Sequence, residues 1–146
     1  MSLDDPDFIL GPLKISIDGY QFPDATDYWG ANWLLIIAEI DIPGQAWVRA
    51  TGPFIMNAEL ARFRDEMEMI YDQLDGQAGL WTIEPELRIA LESKNNGLIT
   101  AEIDITPDNM TQEHKFFVDL DQSHLPLAIS QLNTILERFP VRGQSE

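Results

Sequence analysis

There is no cysteine anywhere in the chain, so disulfides, thiolate metal sites and cysteine nucleophiles are all excluded, and nothing calls for an oxidising compartment. Basic residues are scarce: nine Lys and Arg stand against 25 Asp and Glu, a formal charge of -16. A field of that sign repels phosphate backbones and anionic membranes, so neither nucleic acid nor a membrane surface is an expected partner, whereas encounter with a basic protein is favoured. Solubility alone is the plainer use of such a charge. Long apolar runs are lacking too, the longest, Trp33 to Ala38, being far too short to span a bilayer. Met1 to Pro12 holds three aspartates and no basic stretch ahead of an apolar one, so no secretory signal is expected there and the cytoplasm is the expected location.

Reactive groups are equally few. A nucleophile and base arrangement needs a histidine within reach of Ser, Thr or Cys, and only His114 and His124 exist. His114 stands beside Lys115 at an expected strand start and His124 in the first turn of an expected helix, so both read as surface residues. Gly76-Gln77-Ala78-Gly79 is no phosphate loop, because it lacks the strand-to-helix context and the following lysine. Carboxylates are so abundant that no acid-base pair stands out: Asp119 and Asp121 share one strand face, and Glu102 and Asp104 another. Asp24 and Asp27 lack the calcium-loop pattern and its terminal glutamate. No catalytic, cofactor or metal site is therefore expected, although a hydrolase built on paired carboxylates stays open as a rival.

Apolar material, by contrast, is ample. Of the 146 residues 45% are hydrophobic and 10% aromatic, which argues for a folded chain despite the charge. A chain of this length buries roughly 70% of the surface its unfolded form exposes, so one domain over residues 1–146 is expected, with flexible ends at 1–6 and 142–146.

Alternation at period two predicts strands over Leu13 to Ile17, Trp33 to Ile42 and Gln45 to Thr51, with Gly19 marking a bulge and Pro43-Gly44 a turn. Pro23 to Asn32 reads as a turn-rich loop. From Asn57, taken as an N-cap, the spacing of Leu60, Phe63, Met67, Ile70, Tyr71 and Leu74 predicts a helix that Gly76 stops. Strands follow at Gly79 to Ile83, Leu87 to Glu92, Ile99 to Ile105 and His114 to Asp121, with Asn95-Asn96-Gly97 as a hairpin turn. A second helix begins near Ser123, tolerates Pro126 in its first turn, aligns Ile129, Leu132, Leu136 and Phe139, and ends at Pro140. Short connections favour antiparallel pairing. The expected class is α+β: a mostly antiparallel sheet of about seven strands with two covering helices, in the order (βββα)(ββββα).

The densest chemistry lies between Asp24 and Leu34, where Asp24, Asp27 and Asn32 are interleaved with Tyr28, Trp29 and Trp33. Rings and carboxylates both attract cations, so this segment is a candidate recognition patch for arginine or lysine. Asp65, Glu68 and Asp72 extend it as an acidic helix surface. The structural alternative is that the rings plug a sheet end while Asp and Asn bond nearby backbone. A further alternative is a small-molecule or regulatory binding module in which Trp29, Trp33 and Trp47 line one pocket.

The run Asp27-Tyr28-Trp29-Gly30-Ala31-Asn32-Trp33-Leu34, with Phe22-Pro23 ahead of it, resembles the WapI-type immunity protein family. Weaker likeness follows in the same order at Leu60 to Glu66, Ile83-Glu84-Pro85, Leu125-Pro126 and Phe139-Pro140-Val141-Arg142-Gly143, so the resemblance spans Leu13 to Gly143. Gly30-Ala31 departs from it, standing where an acidic-glycine pair is expected. The resemblance implies a small intracellular bacterial antidote, without catalysis or cofactor, that binds and silences the toxin domain of a cell-contact system, commonly a nuclease. An acidic antidote for a basic toxin is electrostatically sensible, because carboxylates mimic phosphate and speed encounter.

Overall fold

The computed structural model describes residues 3–94 and 96–143. Its strands are β1 (Phe8–Leu10), β2 (Leu13–Tyr20), β3 (Trp33–Ile42), β4 (Ala46–Met56), β5 (Gly76–Leu80), β6 (Leu87–Ser93), β7 (Leu98–Ile105) and β8 (Lys115–Asp121). Three α-helices, α1 (Tyr28–Ala31), α2 (Asn57–Gln73) and α3 (Leu125–Arg138), complete it, the last entered through a 3-10 turn at Gln122–His124. The α+β class holds. The strands form two four-stranded sheets, β1-β2-β3-β4 and β5-β6-β7-β8, every neighbouring pair antiparallel.

The eighth strand is β1, too short for alternation to reveal. It pairs with β2 through a turn at Gly11, whose φ of +57° suits glycine. Gly19 does sit at a register shift between β2 and β3, and Gly44 turns the β3–β4 hairpin at φ +77°. Of the Asn95-Asn96-Gly97 hairpin signal, Asn95 lies outside the described residues, and Gly97 adopts φ +80°. The expected flexible ends fall partly outside them as well.

Alternation sorts the strands as period two requires. Leu34, Ile36, Ala38 and Ile40 of β3 and Leu87, Ile89 and Leu91 of β6 are buried, and they join one cluster that takes in both sheets and both long helices. The helices pack on each other, α2 along β5 and α3 along β1. Leu60, Phe63, Met67 and Ile70 form the buried stripe of α2, whereas Tyr71 and Leu74, also assigned to that stripe by their spacing, are exposed. The chain leaves α2 through Leu74, in the left-handed region at φ +58°, and Gly76 already belongs to β5. Asn57 is not the N-cap; it is the first helical residue, and its buried side chain serves the interior.

With α2 against the β5 edge, no helix among the described residues packs over the outward face of the second sheet, where Phe117 and Asp119 are exposed. On that face the register aligns Gly79, Ala90, Glu102 and Phe117 in one cross-strand row and Gln77, Glu92, Thr100 and Asp119 in the next.

Candidate partner-binding surface

The aromatic-acidic segment after β2 is held by a buckle that joins distant parts of the chain. Asp27 caps α1, its Oδ2 accepting the Gly30 amide at 2.9 Å. Asn32 is wholly buried, and each of its four side-chain hydrogen-bonding positions is filled. Its Nδ2 donates to the carbonyls of Tyr28 and Arg142, both at 2.8 Å. Its Oδ1 accepts from the Arg142 amide at 2.8 Å and from Asn57 Nδ2 at 3.1 Å. Asn32, expected on the recognition patch, is thus an interior fastening in the folded chain.

Arg142 closes the buckle from the C-terminal side. Its guanidinium donates to the carbonyls of Pro23 at 2.7 Å and Phe22 at 3.1 Å and to that of Ala31, and it stacks 3.7 Å over the Tyr20 ring. No described carboxylate pairs with it; carbonyl dipoles and a ring face meet the charge instead. Tyr20, its phenol raised above the usual range by burial, donates to the Pro140 carbonyl at 2.5 Å. Gly143, at φ +73°, lies so close that a Cβ would stand 2.9 Å from the Thr26 carbonyl oxygen. The segments that carry the sequence resemblance near each end of the chain therefore meet here.

The buckle turns a different set of side chains outward. Trp29 is 52% exposed, and with the half-buried Tyr28 it lines a groove of about 180 Å³ beside Trp81 and Ile83. Glu59 of α2 fixes that junction, one carboxylate oxygen accepting the Met56 amide at 2.7 Å and the other the Ile83 amide at 2.9 Å. Burial pushes the Glu59 carboxyl above the usual glutamate range, against the pull of these two donors. Trp81 also walls a larger groove, of about 420 Å³, on the outward face of the second sheet. Its indole lies over Gly79, where a Cβ would come within 2.1 Å of the ring.

The other sequence candidates are spread out. Asp24 is exposed, as are Asp65, Glu68 and Asp72 on α2, where Asp65 holds Arg64 at 2.9 Å. Trp33 lines a separate groove with Phe54 and Pro107, and Trp47 stands on β4 with Arg49 5.5 Å from its ring centre. Trp29, Trp33 and Trp47 do not share a pocket. The period-two pattern sets Trp81 inside a strand over Gly79 to Ile83, but β5 ends at Leu80 and Trp81 lies just past it with its ring against Gly79, the glycine two positions earlier being the available signal.

One cluster elsewhere holds the residue types of a catalytic set. His124, Asp121 and Ser123 cluster, but Ser123 Oγ donates to Asp121 rather than to the histidine, and Asp121 accepts the Ser123 amide at 2.9 Å as the cap of the 3-10 turn. That is turn chemistry, with histidine outside the position between serine and acid that base catalysis needs. Those bonds from Ser123 hold the Asp121 carboxyl below its usual range. Among the described residues no group of three or more His, Asp or Glu converges as a metal ion requires, and no helix is long and apolar enough to cross a membrane.

The model of the WapI-like immunity protein family matches residues 7–140, from just before β1 to just past α3. The chain belongs to the WapI-like immunity protein family. A search of curated proteins finds no match to it. Family membership takes in both sheets and the α1 loop, and its span ends just before Arg142, so the closing residue of the buckle lies outside the matched region. The outward grooves at Trp29, Trp81 and Phe117 lie within it.

Proposed function

We propose that this WapI-like chain is a non-enzymatic immunity protein that binds a cognate toxin domain in the bacterial cytoplasm and neutralises it. The family match over residues 7–140 is the observation that carries this reading. Charge and shape support it from the molecule itself. A formal charge of -16 attracts a basic toxin such as a nuclease and accelerates encounter. Solvent-facing Trp29 and Trp81 offer the rigid aromatic area that anchors interfaces. Asp24 and Asp27 with the α2 carboxylates Asp65, Glu68 and Asp72 supply the field, while the exposed rings supply contact.

The test is a binding measurement between the purified chain and the C-terminal domain of a contact-delivered toxin encoded beside its gene. A stoichiometric complex is expected, with association that quickens steeply as salt is lowered. The reading fails if no complex forms with that domain. Formation of a complex indifferent to salt would remove the acidic surface from the account and leave the immunity function.

A further inference from the structure

The outward face of the second sheet carries chemistry that the α1 loop and α2 do not. Its groove of about 420 Å³ is lined by Glu92, Glu102 and Asp119 and by the rings of Trp81 and Phe117, with no lysine or arginine in the lining. Phe117 is 77% exposed, an apolar ring on the edge strand β8 where solvation gives no reason for one. Trp81 has a built seat, because only a side chain as small as hydrogen at Gly79 leaves room for the indole where it stands. Across the row between them sit Ala90, which keeps the floor low, and Glu102, which Lys115 reaches from outside the groove at 2.9 Å. Asp119 has no ion pair with any described residue.

We infer that this groove receives an arginine side chain projecting from a basic protein partner. Aromatic faces attract a guanidinium electrostatically and accept its flat surface by stacking, while a free carboxylate takes two of its N–H donors at once. Lysine matches the charge but neither the plane nor the fork. Trp81 and Phe117 supply faces on the two sides of Ala90 and Glu102, and Asp119 supplies the carboxylate. A purely apolar occupant is disfavoured, since it would bury the Asp119 carboxylate without a partner. Nucleic acid is excluded by the same charges. The inference rests on the toxin-binding reading for the identity of the partner, and not for the chemistry of the groove.

Two measurements decide it. In the first, the adjacent toxin domain binds wild type, Phe117→Ala and Asp119→Asn. Both side chains are on the surface, so neither change is expected to unfold the protein, and circular dichroism checks this. Affinity is expected to fall by about tenfold or more in each variant, chiefly through faster dissociation. Binding within about twofold of wild type in both would overturn the groove and leave the immunity reading standing. In the second, capped tetra-arginine and tetra-lysine peptides are titrated into the full chain and followed by amide NMR shifts. Tetra-arginine is expected to move the signals of Trp81, Glu102, Phe117 and Asp119 at several-fold lower concentration than tetra-lysine. If the toxin does not bind but this pattern appears, the toxin reading fails and the groove assignment holds. Equal response to both peptides, or shifts confined to α2, refutes the arginine assignment whatever the toxin does.

Discussion

A buried amide costs stability unless each of its polar atoms finds a partner, and Asn32 is buried with all four positions satisfied. Asn32→Ala removes them together, leaving the Arg142 amide without its acceptor and Asn57 Nδ2 with only the Phe139 carbonyl. A loss of about 2–3 kcal/mol in urea unfolding is expected, with the α1 loop loosened. Arg142→Lys is not conservative here, because one ammonium has no planar fork to serve three carbonyls, and a loss of about 1–2 kcal/mol is expected from the same measurement. Glu59 gives a prediction in pH. Its folded carboxyl holds a proton to higher pH than the unfolded one, so its contribution is fully present below the ordinary glutamate value and is lost as pH rises through the raised one. Carbon NMR of the Glu59 carboxyl is expected to titrate above the ordinary value, and a titration at or below it would refute the burial described. At this scale the sequence disclosed identities and not partners. Asn32 and Arg142 lie 110 residues apart, and no local pattern reports that one closes on the other.

Elements with strong periodicity declared themselves. The alternation of β3, β6 and β7 matches the buried faces, because a half-buried strand must show its period whatever its neighbours are, and the helical spacing of α2 holds from Leu60 to Ile70. In α3 the buried stripe is Leu125, Ala128, Leu132 and Ile135, so of the expected Ile129, Leu132, Leu136 and Phe139 only Leu132 is fully buried and the others flank it. Short elements did not. The three residues of β1 and the four of α1 are fixed by what they pack on: β1 by its pairing with β2 and its contact with α3, α1 by the Asp27 cap and the Arg142 clamp. Splitting one expected sheet into two likewise depends on α2 reaching β5, which strand propensity does not encode. The Trp81 seat is the element-scale feature most open to test. Gly79→Ala is expected to lift the indole off the sheet, shifting tryptophan emission to the red, with about 1–2 kcal/mol lost to the forced displacement. Unchanged emission would show that the ring does not rest on that glycine.

Over the whole molecule, the proposed function has charge and contact divide the work of recognition. Under that proposal the carboxylates dispersed over α2 act at a distance and set how fast a basic partner arrives, whereas the exposed rings, once covered, set how long it stays. Replacing Asp65, Glu68 and Asp72 by their amides is therefore expected to slow association severalfold at low salt while leaving dissociation nearly unchanged. The family was legible in the Asp27 to Leu34 run, yet the residues best placed to touch a partner were not, since the Trp81–Phe117 groove exists only once four strands are in register. Local charge counts find an acidic face readily; they do not find a cleft assembled from β5 to β8. Neutralisation itself is the claim on which everything else depends, and survival measures it most directly. Cells expressing the adjacent toxin domain are expected to form colonies when this chain is co-expressed and to die without it. Equal killing in its presence, with the folded chain accumulating to the same level, would contradict the account.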